Sequence, residues 1–110
     1  MTDAQSTRTI QDSIDTIANW AVRGTIRQFY NEMQARLIDD PDYHAELQGN
    51  TVVFVHETKQ GGFLGIGGRK VSETALEVHK DEEGEVTIPS EPMDEEFVQK
   101  LALTLEREKH

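Results

Sequence analysis

Apolar residues in the first third of the chain recur at helical spacing. Ile10, Ile14, Ile17 and Ala21 mark one stripe, and Val22, Ile26, Phe29, Met33 and Leu37 continue it. Thr9 stands where an N-cap is needed, with Asp12 three residues on. Taken as one helix, residues 10–38 would run for about 44 Å at 1.5 Å per residue. A compact domain of this length has a radius of gyration of only about 13 Å. An unbroken helix would therefore overhang its own domain unless a second chain covers it. Gly24 and Thr25 offer a break: glycine suits the position after a helix end, and Thr25 with Gln28 forms a second capping pattern. Two residues are few for a full reversal, which favours a long or kinked helix shared in a homodimer over two antiparallel helices.

The period then changes. In "DDPDYHAEL", Asp40 as cap and Pro41 at the first helical position predict a short helix, which "QGN" (residues 48–50) would stop. "TVVFVHET" is β-branched and aromatic, as a buried strand requires. "KVSETALEVHK" alternates, with Ser72, Thr74, Leu76 and Val78 on one face and Val71, Glu73, Ala75 and Glu77 on the other. The face with Leu76 and Val78 is the expected inner one. "DEEG" reads as a turn, and "EVTIP" supplies a third short strand with Val86 and Ile88. A closing helix follows, with Phe97, Val98, Leu101 and Leu105 on one stripe. Its acidic first turn, Asp94 to Glu96, and its basic end near Arg107 and Lys109 both suit the helix dipole. The predicted fold is α+β: a long or kinked N-terminal helix, a short helix, a three-stranded antiparallel sheet and a C-terminal helix. It forms one domain over residues 9–110, behind a frayed stretch at 1–8.

Composition narrows the class. Apolar residues make up 35% of the 110 positions and charged ones 29%, so the core is thin and self-association would help to bury surface. Without cysteine there is no disulfide scaffold, thiolate zinc site or thiol nucleophile. No apolar run approaches the roughly 18 residues a spanning helix needs, and "MTDAQSTRTIQDS" lacks a signal peptide's apolar centre. The expectation is a soluble, cytoplasmic protein. Its net charge of −10 is unevenly placed: residues 1–72 hold 9 acidic and 7 basic side chains (−2), and residues 73–110 hold 12 and 4 (−8). So acidic a C-terminal part repels phosphate backbones and disfavours direct nucleic-acid binding. It suits a basic protein partner, or mimicry of nucleic-acid charge, as well as simple solvation.

The segment "KQGGFLGIGGRK", residues 59–70, packs five glycines around Phe63, Leu64 and Ile66. Each glycine in an extended element costs roughly 0.5–1 kcal/mol relative to alanine, so the apolar tip needs a cover. That cover is either the protein's own core or a partner. Nucleotide-binding motifs do not fit. A P-loop places glycine directly before lysine and a hydroxyl residue after it, whereas Arg69 precedes Lys70 and Val71 follows. "GGFLGIGGRK", after "VVFVHETK" and before an alternating strand, resembles the "KGFLGIG" signature of the N-terminal domain of Jag-type RNA-associated bacterial proteins. The resemblance spans roughly residues 52–78. It implies a strand–glycine turn–strand joint and a protein-docking role beside separate RNA-binding domains. Here a long helical region is expected in place of that family's leading strand and short helix, and no RNA-binding domain is expected to follow.

Other chemistry is sparse. His44, His56, His79 and His110 are the candidate soft metal ligands, and His56 and His79 would approach each other if their strands pair, but no tight ligand spacing occurs. With 21 acidic residues, carboxylate spacing alone identifies no acid–base pair. Neither a cofactor nor a metal is expected, nor is enzymatic activity. Trp20 and Tyr30 flank the helical stripe and broaden it, as suits a helix buried on two sides. The expected function is a small acidic protein-binding, adaptor or regulatory domain. Phe63, Leu64, Ile66, Trp20, Tyr30, Glu82, Glu83, Glu95 and Glu96 are its candidate contact residues. The alternatives are a phage- or defence-type charge-mimic inhibitor of a nucleic-acid-binding protein and, by topology alone, a dimeric nucleoid-associated-like protein.

Overall fold

The computed structural model describes residues 9–60, 69–89 and 93–107. The N-terminal stripe forms two helices, α1 (Ile10–Ala21) and α2 (Ile26–Arg36), and not the single long or kinked helix expected. The break falls where the capping residues stand. The Thr25 side chain accepts from the Gln28 backbone N–H at 3.0 Å, and the Gln28 side chain accepts from the Thr25 N–H at 2.9 Å. A complete capping box satisfies two donors that helix initiation orphans, and at this junction it outweighs continuation of the helix. At about 18 and 17 Å, the two helices fit within a domain of this size. The overhang that argued for a dimer is absent. Thr9 caps α1 as expected, accepting from the Asp12 N–H at 3.0 Å. A 3-10 turn, Leu37–Asp39, ends the helical region.

The stretch expected as a short helix is instead a strand, β1 (Tyr43–Gln48). Asp40 and Pro41 initiate a tight turn, in which the Tyr43 N–H donates to the Asp40 carbonyl at 3.0 Å. Asp followed by Pro suits the first two positions of such a turn as well as a helix start. Alternation decides between the two readings: Tyr43, Ala45 and Leu47 face the core, and His44, Glu46 and Gln48 face away. A two-residue loop follows, with Gly49 at φ 62°, the positive region such hairpins need. It leads to β2 (Thr51–Gln60), which pairs antiparallel with β3 (Arg69–Lys80). With β4 (Val86–Thr87) the sheet has four strands in the order β1-β2-β3-β4, one more than expected. Helix α3 (Glu95–Arg107) closes the fold.

One irregularity in β3 matters more than its length. Phe54 pairs with Leu76 and Val55 with Thr74, so Ala75 has no opposite number on β2. This β-bulge reverses the facing of β3 on its far side. Leu76 and Val78 lie on the inner face as expected, but so does Glu73, opposite His56, and Val71, opposite Thr58. Ser72 and Thr74, assigned to the inner face from the sequence, pair with Glu57 and Val55 on the outer face. The carbonyl of Ala75 accepts from the Asp94 N–H at 2.9 Å, which fastens the bulge to the start of α3.

All three helices pack on one face of the sheet. The core joins Ile17, Phe29, Met33, Val52, Phe54, Leu76, Val78, Phe97, Val98, Leu101 and Leu105, all buried. The Phe54 ring meets Phe29 edge-on at 6.3 Å and Phe97 at 5.6 Å. On the opposite face Val53 and Val55 are also buried, beneath polar neighbours: Val53 lies between Glu46 and Glu77, and Val55 between His44 and Thr74. Lys80, at the end of β3, reaches the helical layer. Its Nζ donates to the carbonyls of Ala21 at 3.1 Å, Val22 at 3.3 Å, and Gly24. The end of α1 is thereby joined to the sheet, with a cation where the helix dipole is negative.

Candidate functional site

The densest group of chemically capable side chains lies where the β2–β3 ribbon leaves the helical layer. Tyr43 is sandwiched there, with the His56 ring 4.4 Å on one side and the Phe97 ring 4.4 Å on the other, both nearly parallel. Its hydroxyl donates to Asp94 Oδ2 at 2.9 Å, while Asp94 Oδ1 accepts from the Phe97 N–H at 3.1 Å and so caps α3. His56, Glu73, Thr74, Ala75, Met93 and Asp94 line a cavity of about 500 Å³ beside these rings. Glu73 is exposed and meets no partner among the described residues. Burial first, and then the Asp94 hydrogen bond and nearby carboxylates, push the Tyr43 phenol well above its ordinary value of 10.0.

That shift has a pH signature. Because the folded value is raised, stability from neutral Tyr43 is fully present below about pH 10 and is lost as pH rises above it. Urea melts at pH 8 and pH 11 should therefore show a smaller alkaline loss for Tyr43→Phe than for the parent chain. Equal losses would show that Tyr43 does not couple to folding.

The outer face carries a second polar set. His44 Nε2 lies 2.8 Å from Glu46 Oε2 and its Nδ1 3.9 Å from Glu57 Oε2. The His44 hydrogen bond, and then that of Gln48, hold the Glu46 carboxyl below its ordinary range. His79 Nδ1 lies 3.0 Å from Thr51 Oγ1 on this face, whereas His56 is on the inner one. The expected approach of His56 to His79 therefore does not occur. No group of three or more His, Asp or Glu residues among the described ones is arranged to hold a metal ion.

The candidate contact residues are dispersed. Trp20 and Tyr30 are half-buried and pack against the core. The guanidinium groups of Arg23 and Arg36 lie 4.6 and 5.0 Å from the Trp20 ring centre, and the buried indole N–H meets no acceptor among the described residues. Tyr30 takes a hydrogen bond from Gln34 at 3.1 Å. Glu82 and Glu83 are exposed in the β3–β4 turn, while Glu95 and Glu96 are exposed in the first turn of α3, which begins beside Ala75. Lys80 and Ala75 are about 17 Å apart along β3, so the two acidic pairs form separate points. Phe63, Leu64 and Ile66 lie outside the described residues, as do most of the "GGFLGIGGRK" segment and His110.

No spacing in the sequence groups Tyr43, His56, Glu73 and Asp94. Reading "YHAELQ" as alternating would have placed Tyr43 beside the third strand's neighbour, but the bulge that brings Glu73 inward has no glycine or proline to announce it. In comparisons with family models, curated proteins and solved structures, nothing matches the chain. No helix among the described residues is long and apolar enough to cross a membrane.

Proposed function

We propose that this protein is a small acidic, non-enzymatic protein-binding domain that acts as an adaptor or regulator through protein–protein contact. The observation that carries the reading is the one-sided packing of the helices on the sheet. The sheet keeps an open face with Glu46 and Glu77 exposed, and further carboxylates stand at the β3–β4 turn and the start of α3. Such a surface attracts basic partners and repels nucleic acid. A charge-mimic inhibitor of a nucleic-acid-binding protein is the second reading, favoured by two exposed acidic pairs, Glu82 and Glu83 in the β3–β4 turn and Glu95 and Glu96 in the first turn of α3.

The domain is proposed to be cytoplasmic and homodimeric, with Trp20, Tyr30 and the exposed Ile38 (79% accessible) as the helical contacts. Light scattering on a sizing column checks the assembly: a species of twice the chain mass is expected, and a monomer at every concentration removes the dimer alone. Affinity capture with the purified chain, followed by identification and reconstitution of the captured protein, tests the binding role. The reconstituted complex should weaken steeply as salt rises. Failure to reconstitute any complex counts against the adaptor reading.

A further inference from the structure

The two long edges of the sheet are treated differently. On the β1 side, α2 lies against the edge and the Gln34 side chain accepts from the Ala45 N–H at 3.2 Å. On the β3 side, β4 pairs only with His79 and Lys80, and the Asp94 N–H takes the Ala75 carbonyl. Between Val71 and Thr74 the outward N–H and C=O groups of β3 meet no partner among the described residues. An unpaired edge of this kind templates another strand unless something blocks it. Residues 71–74 (VSET) contain neither proline nor lysine; the Ala75 bulge confines the open stretch to its far side, and Glu73 is the one charge turned inward there.

The cavity opens beside that edge. It offers the His56 ring, whose other face is stacked on Tyr43, and the half-buried Met93 as apolar walls. Glu73, without a partner among the described residues, stands at its rim, and Asp94, the N-cap of α3, lines its helical side. An aliphatic stem ending in a cation matches both features, with the stem along Met93 and His56 and the charged head on Glu73.

We infer, building on the protein-binding reading above, that the Val71–Thr74 edge of β3 receives an extended basic segment of a partner protein as an added strand, with an arginine or lysine side chain seated in the cavity against Glu73. Main-chain hydrogen bonds supply affinity along roughly four residues, and the cavity selects the basic side chain.

The probe is a short synthetic peptide of alternating valine and arginine, added to the isotope-labelled full chain and followed by amide NMR shifts and hydrogen exchange. The amides of Val71 to Thr74 should shift, and those among them that point away from β2 should gain protection. The Glu73→Gln variant, which alters an exposed side chain and should leave the remaining spectrum unchanged, should bind about tenfold more weakly. The same peptide with alternate backbone nitrogens methylated should not bind. Absence of edge protection at about 1 mM peptide, enough to half-fill a site with a Kd of about 1 mM, overturns the proposal. Equal binding of a valine–glutamate peptide overturns it too, as does an unchanged affinity in Glu73→Gln. Edge protection that appears on concentrating the chain alone would assign the edge to a second copy and also overturn it. A reconstituted partner that Glu73→Gln still binds fully would sink this assignment while leaving the adaptor reading standing; a chain that binds no partner at all removes both.

Discussion

Phe54→Ala should lower folding stability by about 3–5 kcal/mol. Phe54 is fully buried, and its ring touches both helical neighbours of the sheet, Phe29 of α2 and Phe97 of α3. Truncation removes the transfer energy of the ring and leaves a cavity that three elements would have to collapse to fill. Collapse is hindered here, because Val52, Leu76 and Val78 are fixed by ladder pairing on either side. Against a total of about 5–15 kcal/mol for a domain of this size, the loss is a large share. The melting temperature should fall by at least about 12 °C, at roughly 4 °C per kcal/mol. Phe54→Leu, which keeps more of the volume, should cost less than half as much. Urea denaturation of the three chains checks the order. A loss under about 1 kcal/mol for the alanine variant would show that the sheet and helices do not share the core described.

Lys80→Met should cost about 2–3 kcal/mol, an unusual loss for a lysine. Surface substitutions generally change stability by less than about 0.5 kcal/mol. Lys80 differs because its ammonium group meets the carbonyls of Ala21, Val22 and Gly24 at once. Helix ends leave their last carbonyls without intrahelical partners, and two of these three belong to the end of α1. Methionine preserves the stem and its packing but deletes every donor, leaving those acceptors to water or to nothing. Lys100→Met is the contrasting case. Lys100 is 75% exposed, lies 3.7 Å from Asp40, and should cost under about 0.5 kcal/mol. Equal effects at the two lysines would mean that Lys80 does not tie α1 to the sheet.

The Lys80 contact shows where a reading from sequence stops. Lysine after an alternating strand looks like solvent-facing charge, and its partners are 56 to 59 residues away. The same limit applies at "DDPDYHAEL". Asp-Pro initiates helices and tight turns alike, and local signals did not separate the two. The alternation of Tyr43, Ala45 and Leu47 did carry the answer, over only six residues. At Gly24–Thr25 the capping signals are present in full, and the short connection that favours a continuous helix does not override them.

Periodicity alone determined a good deal: the stripe of Ile17, Phe29 and Met33, the β-branched strand from Thr51, the strand carrying Leu76 and Val78, and the amphipathic C-terminal helix. These follow from side-chain direction repeating every 3.6 or 2 residues, which a short window of sequence already expresses. The candidate site belongs to the other kind of information. Ala75 is an ordinary residue whose extra place in β3 appears only when the strand is laid against β2. That single insertion turns Glu73 to the side of His56, frees the Ala75 carbonyl for Asp94, and sets α3 so that Phe97 stacks on Tyr43. Pairing register joins residues far apart in the chain, and its energy is summed over the whole ladder and core, so no local stretch of sequence could fix it.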